Sequence, residues 1–239
     1  MKHNVDIVIP VLNEEKLLKK NLLKILDFSE RELSSKFNYK LIIVNNGSTD
    51  RTHDIGTRLS LEYKNKIIYQ KTSIKGVGLA LKSSWRKSNA DFIGYMDLDL
   101  ATDLNHLPDA LNALNNFDIV YGTRLHKKSK VVGRTLKREI TSRIFNFIVR
   151  VFLSTSFSDG MCGFKFLKNI HLEKILARGA VSNGWFFCTE LLVASEWLNL
   201  KLYELPVKWT DSSDSKVKIL KLTAEYISAI WYLRKQKRL

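Results

Sequence analysis

Apolar runs that alternate with helical patterns constrain this chain more than any other feature. Residues 5–10 (VDIVIP), 39–44 (YKLIIV), 66–69, 92–96 (FIGYM) and 117–121 have the length and composition of buried strands. The segment between the first two carries Leu17, Leu18, Leu22, Ile25 and Leu26 at helical spacing. Asn45 to Asp50 form a turn cluster, and Ser48 or Thr49 is expected to cap a helix running to about Tyr63. A loop with Gly76 and Gly78 leads into a helix over 79–88, and Pro108 opens a short helix. Strand–helix alternation predicts an α/β fold with a mostly parallel central sheet and helices on both faces. Such sheets bind ligands at the carboxyl ends of their strands. Residues 10–15, 45–50 and 97–99 should therefore line one crevice.

The strand at 92–96 ends in Asp97-Leu98-Asp99. Residues two apart on an extended chain point the same way, so both carboxylates should project together. Like charges so placed repel unless a cation lies between them. Hard oxygen ligands suit Mg2+ or Mn2+, completed by substrate phosphates. Asp97 and Asp99 are the expected metal ligands.

The pattern changes after Tyr121. Residues 134–152 read as one amphipathic helix with an apolar stripe of Ile140, Ile144, Phe147, Ile148 and Val151. Arg138 and Ser142, four apart, share a face. A glycine-rich turn at 158–163 enters a strand, and residues from Thr189 to Leu198 are helical. A further strand is expected at 202–209, a loop at 210–215 and a basic amphipathic helix at 217–234. The net charge of +15 is concentrated. Residues 126–150 hold eight Lys and Arg against Glu139, and 216–239 hold seven against Glu225. Two such segments predict a polyanionic partner. Aromatic–basic repeats for stacking bases are lacking, so nucleic acid is not expected. Cys162 and Cys188 give no disulfide or metal spacing and read as reduced core residues. There is no signal-peptide pattern and no run of roughly 18 apolar residues. The expectation is a cytoplasmic protein, peripheral on the cytoplasmic face of a membrane.

Taken in order, the motifs resemble the family 2 glycosyltransferases, and within them the polyprenyl-phosphate (dolichyl-phosphate) hexose synthases. The matching pieces are Ile9-Pro10-Val11-Leu12-Asn13-Glu14, Val44 to Asp50, Lys75-Gly76-Val77-Gly78, Met96-Asp97-Leu98-Asp99 and Gly122-Thr123-Arg124. They continue in Arg138 to Arg143, Cys162-Gly163-Phe164-Lys165, Trp185 to Glu190 and Leu205 to Thr210. The resemblance spans residues 5–216. It implies a GT-A-type nucleotide-sugar-binding fold, a divalent cation and inversion at the anomeric carbon. It divides the chain into a catalytic domain, 1–215, and a basic amphipathic tail, 216–239. Within the domain, 1–125 would hold the nucleotide sugar and 126–215 the acceptor. By resemblance Pro10 and Glu14 line the nucleoside, and Asp50 with Asn45 and Asn46 faces the base. Lys75 lies near the diphosphate, Asp97 and Asp99 bind metal, and Arg124 sits by the transferred group. Arg138 and Ser142 hold a lipid phosphate.

The chemistry of these residues agrees. A nucleoside diphosphate leaving group gains negative charge, which a divalent ion, Lys75 and Arg124 can neutralise. The planar fork of Arg138 matches phosphate oxygens. A phosphate acceptor is already anionic and needs no general base. A sugar hydroxyl would need one, and Asp159 and Glu190 are the candidates, either as bases or as braces. Asn45 and Asn46 stand where many relatives carry aspartates, so either pyrimidine or purine edges could be read. Ala101 and the 162–165 and 207–210 motifs favour UDP-glucose over GDP-mannose. The alternatives are transfer to a glycan hydroxyl and a non-catalytic basic module.

Overall fold

The structure, a computed structural model, describes residues 1–211 and 219–236, the last segment with side chains from Tyr226 onward. The first half alternates strand and helix. It runs β1 (His3–Val11), α1 (Leu18–Glu32), β2 (Phe37–Asn45), α2 (Thr52–Glu62), β3 (Ile67–Lys71), α3 (Val77–Trp85), β4 (Phe92–Met96), α4 (His106–Ala113) and β5 (Ile119–Thr123). The second half holds β6 (Lys130–Val132), α5 (Leu136–Leu153), β7 (Phe164–Lys168), α6 (Leu172–Ala177), α7 (Phe187–Trp197), β8 (Leu202–Pro206), β9 (Lys208–Thr210) and α8 (Ile219–Gln236).

Seven strands form one sheet in the order β3-β2-β1-β4-β7-β5-β8. All neighbouring pairs are parallel except those of β7, which runs antiparallel between β4 and β5. The fully buried runs of β4 and β5 fit a sheet covered on both faces. One core packs α1, α2 and α4 on one face around Ile7, Leu22, Leu41 and Phe166. The other packs α3 and α5 to α8 around Val8, Trp85, Tyr95 and Leu191. The chain leaves β1 toward β2 on one side and returns to β4 on the other. That reversal opens a crevice at the carboxyl ends of β1 and β4.

Two local expectations are corrected. Ser48 and Thr49 do not cap α2. They hold the Asn13 loop instead, through Asn13 N to Ser48 Oγ (2.9 Å) and Thr49 N to Asn13 Oδ1 (2.8 Å). The strand expected at 202–209 is two, because after Val207 the chain leaves β8 and pairs with β6 as β9. The apolar stripe of α5 faces outward: Ile140, Ile144, Phe147, Ile148 and Val151 are exposed, whereas Asn146, Val149 and Leu153 are buried. Asn146 anchors the opposite face. Its amide donates to Ser142 O (2.9 Å) and accepts from Gly160 N (2.8 Å), tying the helix to the turn beside Asp159. Residues 212–215 of the expected loop and Lys216, Lys218, Lys237 and Arg238 of the basic tail lie outside the described residues.

Candidate active site

Four strand ends meet in the crevice. After β4 the chain enters a turn, so Asp97 and Asp99 are not on an extended segment as expected. Leu98 is buried between them, and Leu100 takes a left-handed φ of 58°. Asp99 Oδ1 accepts from Ala101 N (3.0 Å), while Asp97 N donates to Gly163 O (3.1 Å). The two carboxylates still feel each other. Burial first, and the Asp99 charge second, push Asp97 up to about 7, against the pull of Lys165 and Arg124. A side chain at Gly163 would overlap the Asp97 carboxylate, so glycine there gives the aspartate its room. No cluster of three or more His, Cys, Asp or Glu exists among the described residues. A repelling pair is what a divalent ion relieves, with phosphate oxygens completing its shell.

At the end of β5, Arg124 forms a bidentate pair with buried Asp159. Nε meets Oδ2 at 2.7 Å and Nη2 meets Oδ1 at 2.9 Å, while Arg124 N also donates to Oδ2 (3.1 Å). Its guanidinium lies 4.9 Å from the Trp209 ring centre. Burial opposes the charge on Asp159, but Arg124 prevails and brings its carboxyl down to about 2. Asp159 thus braces Arg124. Glu190 is spent similarly. Its oxygens accept from Ser182 N (2.7 Å) and Ser182 Oγ (2.6 Å), and burial raises its pKa. Both candidate carboxylates are thus engaged by neighbouring donors.

The nucleoside end is a lattice of braces. Asp50 accepts from Glu15 N (3.1 Å) and Thr52 N (3.0 Å), which outweigh its burial and lower its pKa. Asn45 donates to Tyr69 OH (2.8 Å), and Asn46 Oδ1 accepts from Gly76 N (2.6 Å). Pro10 and Glu14 lie half-buried at the end of β1. Lys75 is exposed, with its backbone beside Gly47. Gly76 and Gly78 are packing glycines, since a Cβ on either would meet the 182–187 segment. The Asn183 and Gly184 carbonyls also take the amides of Leu79 (3.2 Å) and Gly78 (3.3 Å), so α3 does not present a phosphate loop.

A second cluster stands at the start of α5. Thr135 caps the helix, accepting from Arg138 N (3.4 Å). Arg138 Nη1 donates to Asp211 Oδ2 (2.6 Å), and Arg134 Nη2 donates to Ser142 Oγ. Sequence reasoning missed Lys165, Arg134 and Asp211 as site residues. Lys165 is fully buried, donates to Cys162 O (2.5 Å) and acts on both Asp97 and Asp159. A lysine flanked by Phe164 and Phe166 in a buried strand was the available signal. Cys162 and Cys188 are buried and unpaired, as expected.

Residues 6–176 match the sequence profile of Glycosyl transferase family 2. The chain belongs to that family. Among curated relatives of this glycosyltransferase, AglD of Haloferax volcanii is 29% identical over 98% of the chain. The chain spans only 38% of AglD's length. The dolichyl-phosphate beta-glucosyltransferase ALG5A of Trichomonas vaginalis is 30% identical over 90% of the chain and 68% of its own. The fold also matches glucosyl-3-phosphoglycerate synthase from Mycobacterium tuberculosis, solved with Mn2+, UDP and glucosyl-3-phosphoglycerate. The TM-score is 0.66 at 16% identity, covering 99% of this chain and 81% of that one. S. aureus TarS, solved with UDP-GlcNAc, gives 0.61 at 15%, covering 99% and 66%. The glycosyltransferase has the expected GT-A-like α/β fold, and no helix among its described residues is long and apolar enough to cross a membrane.

Proposed function

We propose that this glycosyltransferase moves a glucosyl group from UDP-glucose to a polyprenyl phosphate at a membrane surface, with inversion. The observation that carries the reading is that the two carboxylates expected as bases are engaged by neighbours, next to a cationic helix start. Asp159 and Glu190 are consumed as braces, while Arg138 and Ser142 stand one turn apart beside the crevice. A phosphate oxygen attacks the anomeric carbon as the bond to the UDP oxygen breaks, and no proton has to be removed. A divalent ion, Mg2+ or Mn2+, would be held by Asp97 and Asp99 and would neutralise the leaving diphosphate. Lys75 and Arg124 would add charge there, with Arg124 kept in place by Asp159 and Trp209. Pro10, Glu14, Asn46 and Asp50 would frame the nucleoside. Residues 1–125 thus serve the donor and 126–215 the acceptor.

The outward stripe of α5 supports a bilayer acceptor, as do exposed Ile227, Trp231 and Tyr232 on α8. Lys137, Arg143 and Arg150 flank that stripe and suit anionic headgroups. On this reading the protein would sit on the cytoplasmic face, where anionic lipids would meet those cations. The names of the dolichyl-phosphate beta-glucosyltransferase relatives and the UDP-glucose and Mn2+ in the titles of structural neighbours point to the same donor and acceptor. Calorimetric titration of UDP-glucose and GDP-mannose, each with and without Mn2+, tests the donor half. Mn2+-dependent binding of UDP-glucose is expected. Tighter binding of GDP-mannose would replace the donor, and no metal-dependent binding of either would return the chain to a non-catalytic module.

A further inference from the structure

Arg134 lies between Gly133, which has a φ of +76°, and the capping Thr135. Its side chain is only 7% exposed. It runs along two turns of α5, where Nη2 donates to Arg138 O (3.3 Å) and to Ser142 Oγ. Its nearest carboxylate is Glu139, whose Oε2 lies 3.5 Å from Nε but which Arg143 holds more closely at 2.6 Å, while Asp159 and Asp211 act on it only through space. Nη1 is buried and has no hydrogen-bond partner among the described residues. Burial and the nearby Arg124 charge lower its pKa. Arg124 and Arg138 each have a close carboxylate, Asp159 and Asp211, so Arg134 is the weakly compensated cation of the three. A buried guanidinium with a spare donor costs stability unless an anion offsets it.

From this geometry we infer that Arg134 is a positioning residue for the acceptor phosphate. It acts through Ser142. By donating to Ser142 Oγ, Arg134 fixes that oxygen as its acceptor and leaves the hydroxyl proton for a phosphate oxygen. It also places a third positive charge behind a group that carries close to two negative charges at neutral pH. The inference rests on the phosphate-acceptor reading above.

Steady-state kinetics of Arg134→Met, Arg134→Lys and Ser142→Ala test it, with polyprenyl phosphate as acceptor and saturating UDP-glucose. Losing a charge-assisted contact predicts an acceptor KM raised about tenfold or more in Arg134→Met. The Kd of UDP-glucose with Mn2+ stays within about twofold of wild type. Arg134→Lys falls between, because an ammonium keeps the charge but not the fork. On a Ser142→Ala background, Arg134→Met adds less than about threefold, as coupled residues do. Inorganic phosphate and geranyl phosphate, used as inhibitors, lose affinity by the same factor if the headgroup is what is read. A loss confined to the lipid would overturn the assignment. So would donor and acceptor constants rising together, full additivity with Ser142→Ala, or an unchanged acceptor KM. Should Arg134→Met not fold, Arg134→Lys and Ser142→Ala decide, and no acceptor effect in either overturns the proposal. If wild-type enzyme glucosylates only hydroxyl acceptors, the parent reading fails and this one with it. Normal lipid phosphate transfer with unaffected Arg134 variants removes this inference alone.

Discussion

Asp97 stands half-buried at the mouth of the crevice with a second carboxylate two residues away, and Lys165 and Arg124 are the cations that oppose its neutralisation. Its pKa in the fold is raised to about 7, so between about pH 4 and 7 the folded chain binds more protons than the unfolded one. The stability this confers is present at acid pH and lost as pH rises through about 7. A divalent ion competes with that proton. Thermal unfolding with Mn2+ and UDP should therefore show a small stabilisation at pH 5.5 and a large one at pH 8. Asp97→Asn should abolish the difference and cut transfer at least a hundredfold. Gly163→Ala should weaken Mn2+-dependent UDP-glucose binding at least tenfold, since the new methyl displaces the Asp97 carboxylate. Asp159 behaves oppositely. Its pKa is lowered to about 2, so its contribution is present above about pH 4 and lost as pH falls toward 2. Asp159→Asn strands a mostly buried Arg124 and should cost about 3–5 kcal/mol in chemical denaturation.

The α5 helix has two faces with separate tasks. Leu153 and Val149 are fully buried, whereas Ile144 and Phe147 are more than half exposed. Leu153→Ala should lose about 2–5 kcal/mol of stability. Replacing Ile144 and Phe147 together by Ser should change stability by no more than about 0.5 kcal/mol per residue. That double variant should sediment far less with anionic phospholipid vesicles than wild type, and equal sedimentation would count against bilayer contact. The helix and its apolar stripe were legible from spacing, but the contact that holds its other face was not. Asn146 points inward, where its Oδ1 accepts from the amide of Gly160, fourteen residues along the chain. The same limit applies to Ser48 and Thr49. Their hydroxyls suit a cap, but the partner that claims them, Asn13, lies more than thirty residues away.

At the scale of the molecule, strand–helix alternation was sufficient for the parallel half of the sheet, because Ile7-Val8-Ile9, Leu41 to Val44 and Phe92 to Met96 are buried, unbroken apolar runs. It did not show that β7 inserts antiparallel between β4 and β5, since that choice depends on the turn at Gly163 seating against Asp97. Insertion of β7 brings Lys165 beneath Asp97 and Asp159, and the β6–β9 pairing brings Asp211 to Arg138. The second half of the chain is assembled by these long-range pairings, so its ion pairs could not be read from spacing. On the proposed reading, donor and acceptor sites would meet near Arg124, whose charge is felt at Arg134. Mass spectrometry of the products made from UDP-glucose and Mn2+, with polyprenyl phosphate in one reaction and soluble glycosides in another, tests this most directly. A polyprenyl-phosphate hexose, labile to mild acid and formed only with the lipid phosphate, is the predicted result. Glucosylated glycoside with no lipid-linked product would contradict it.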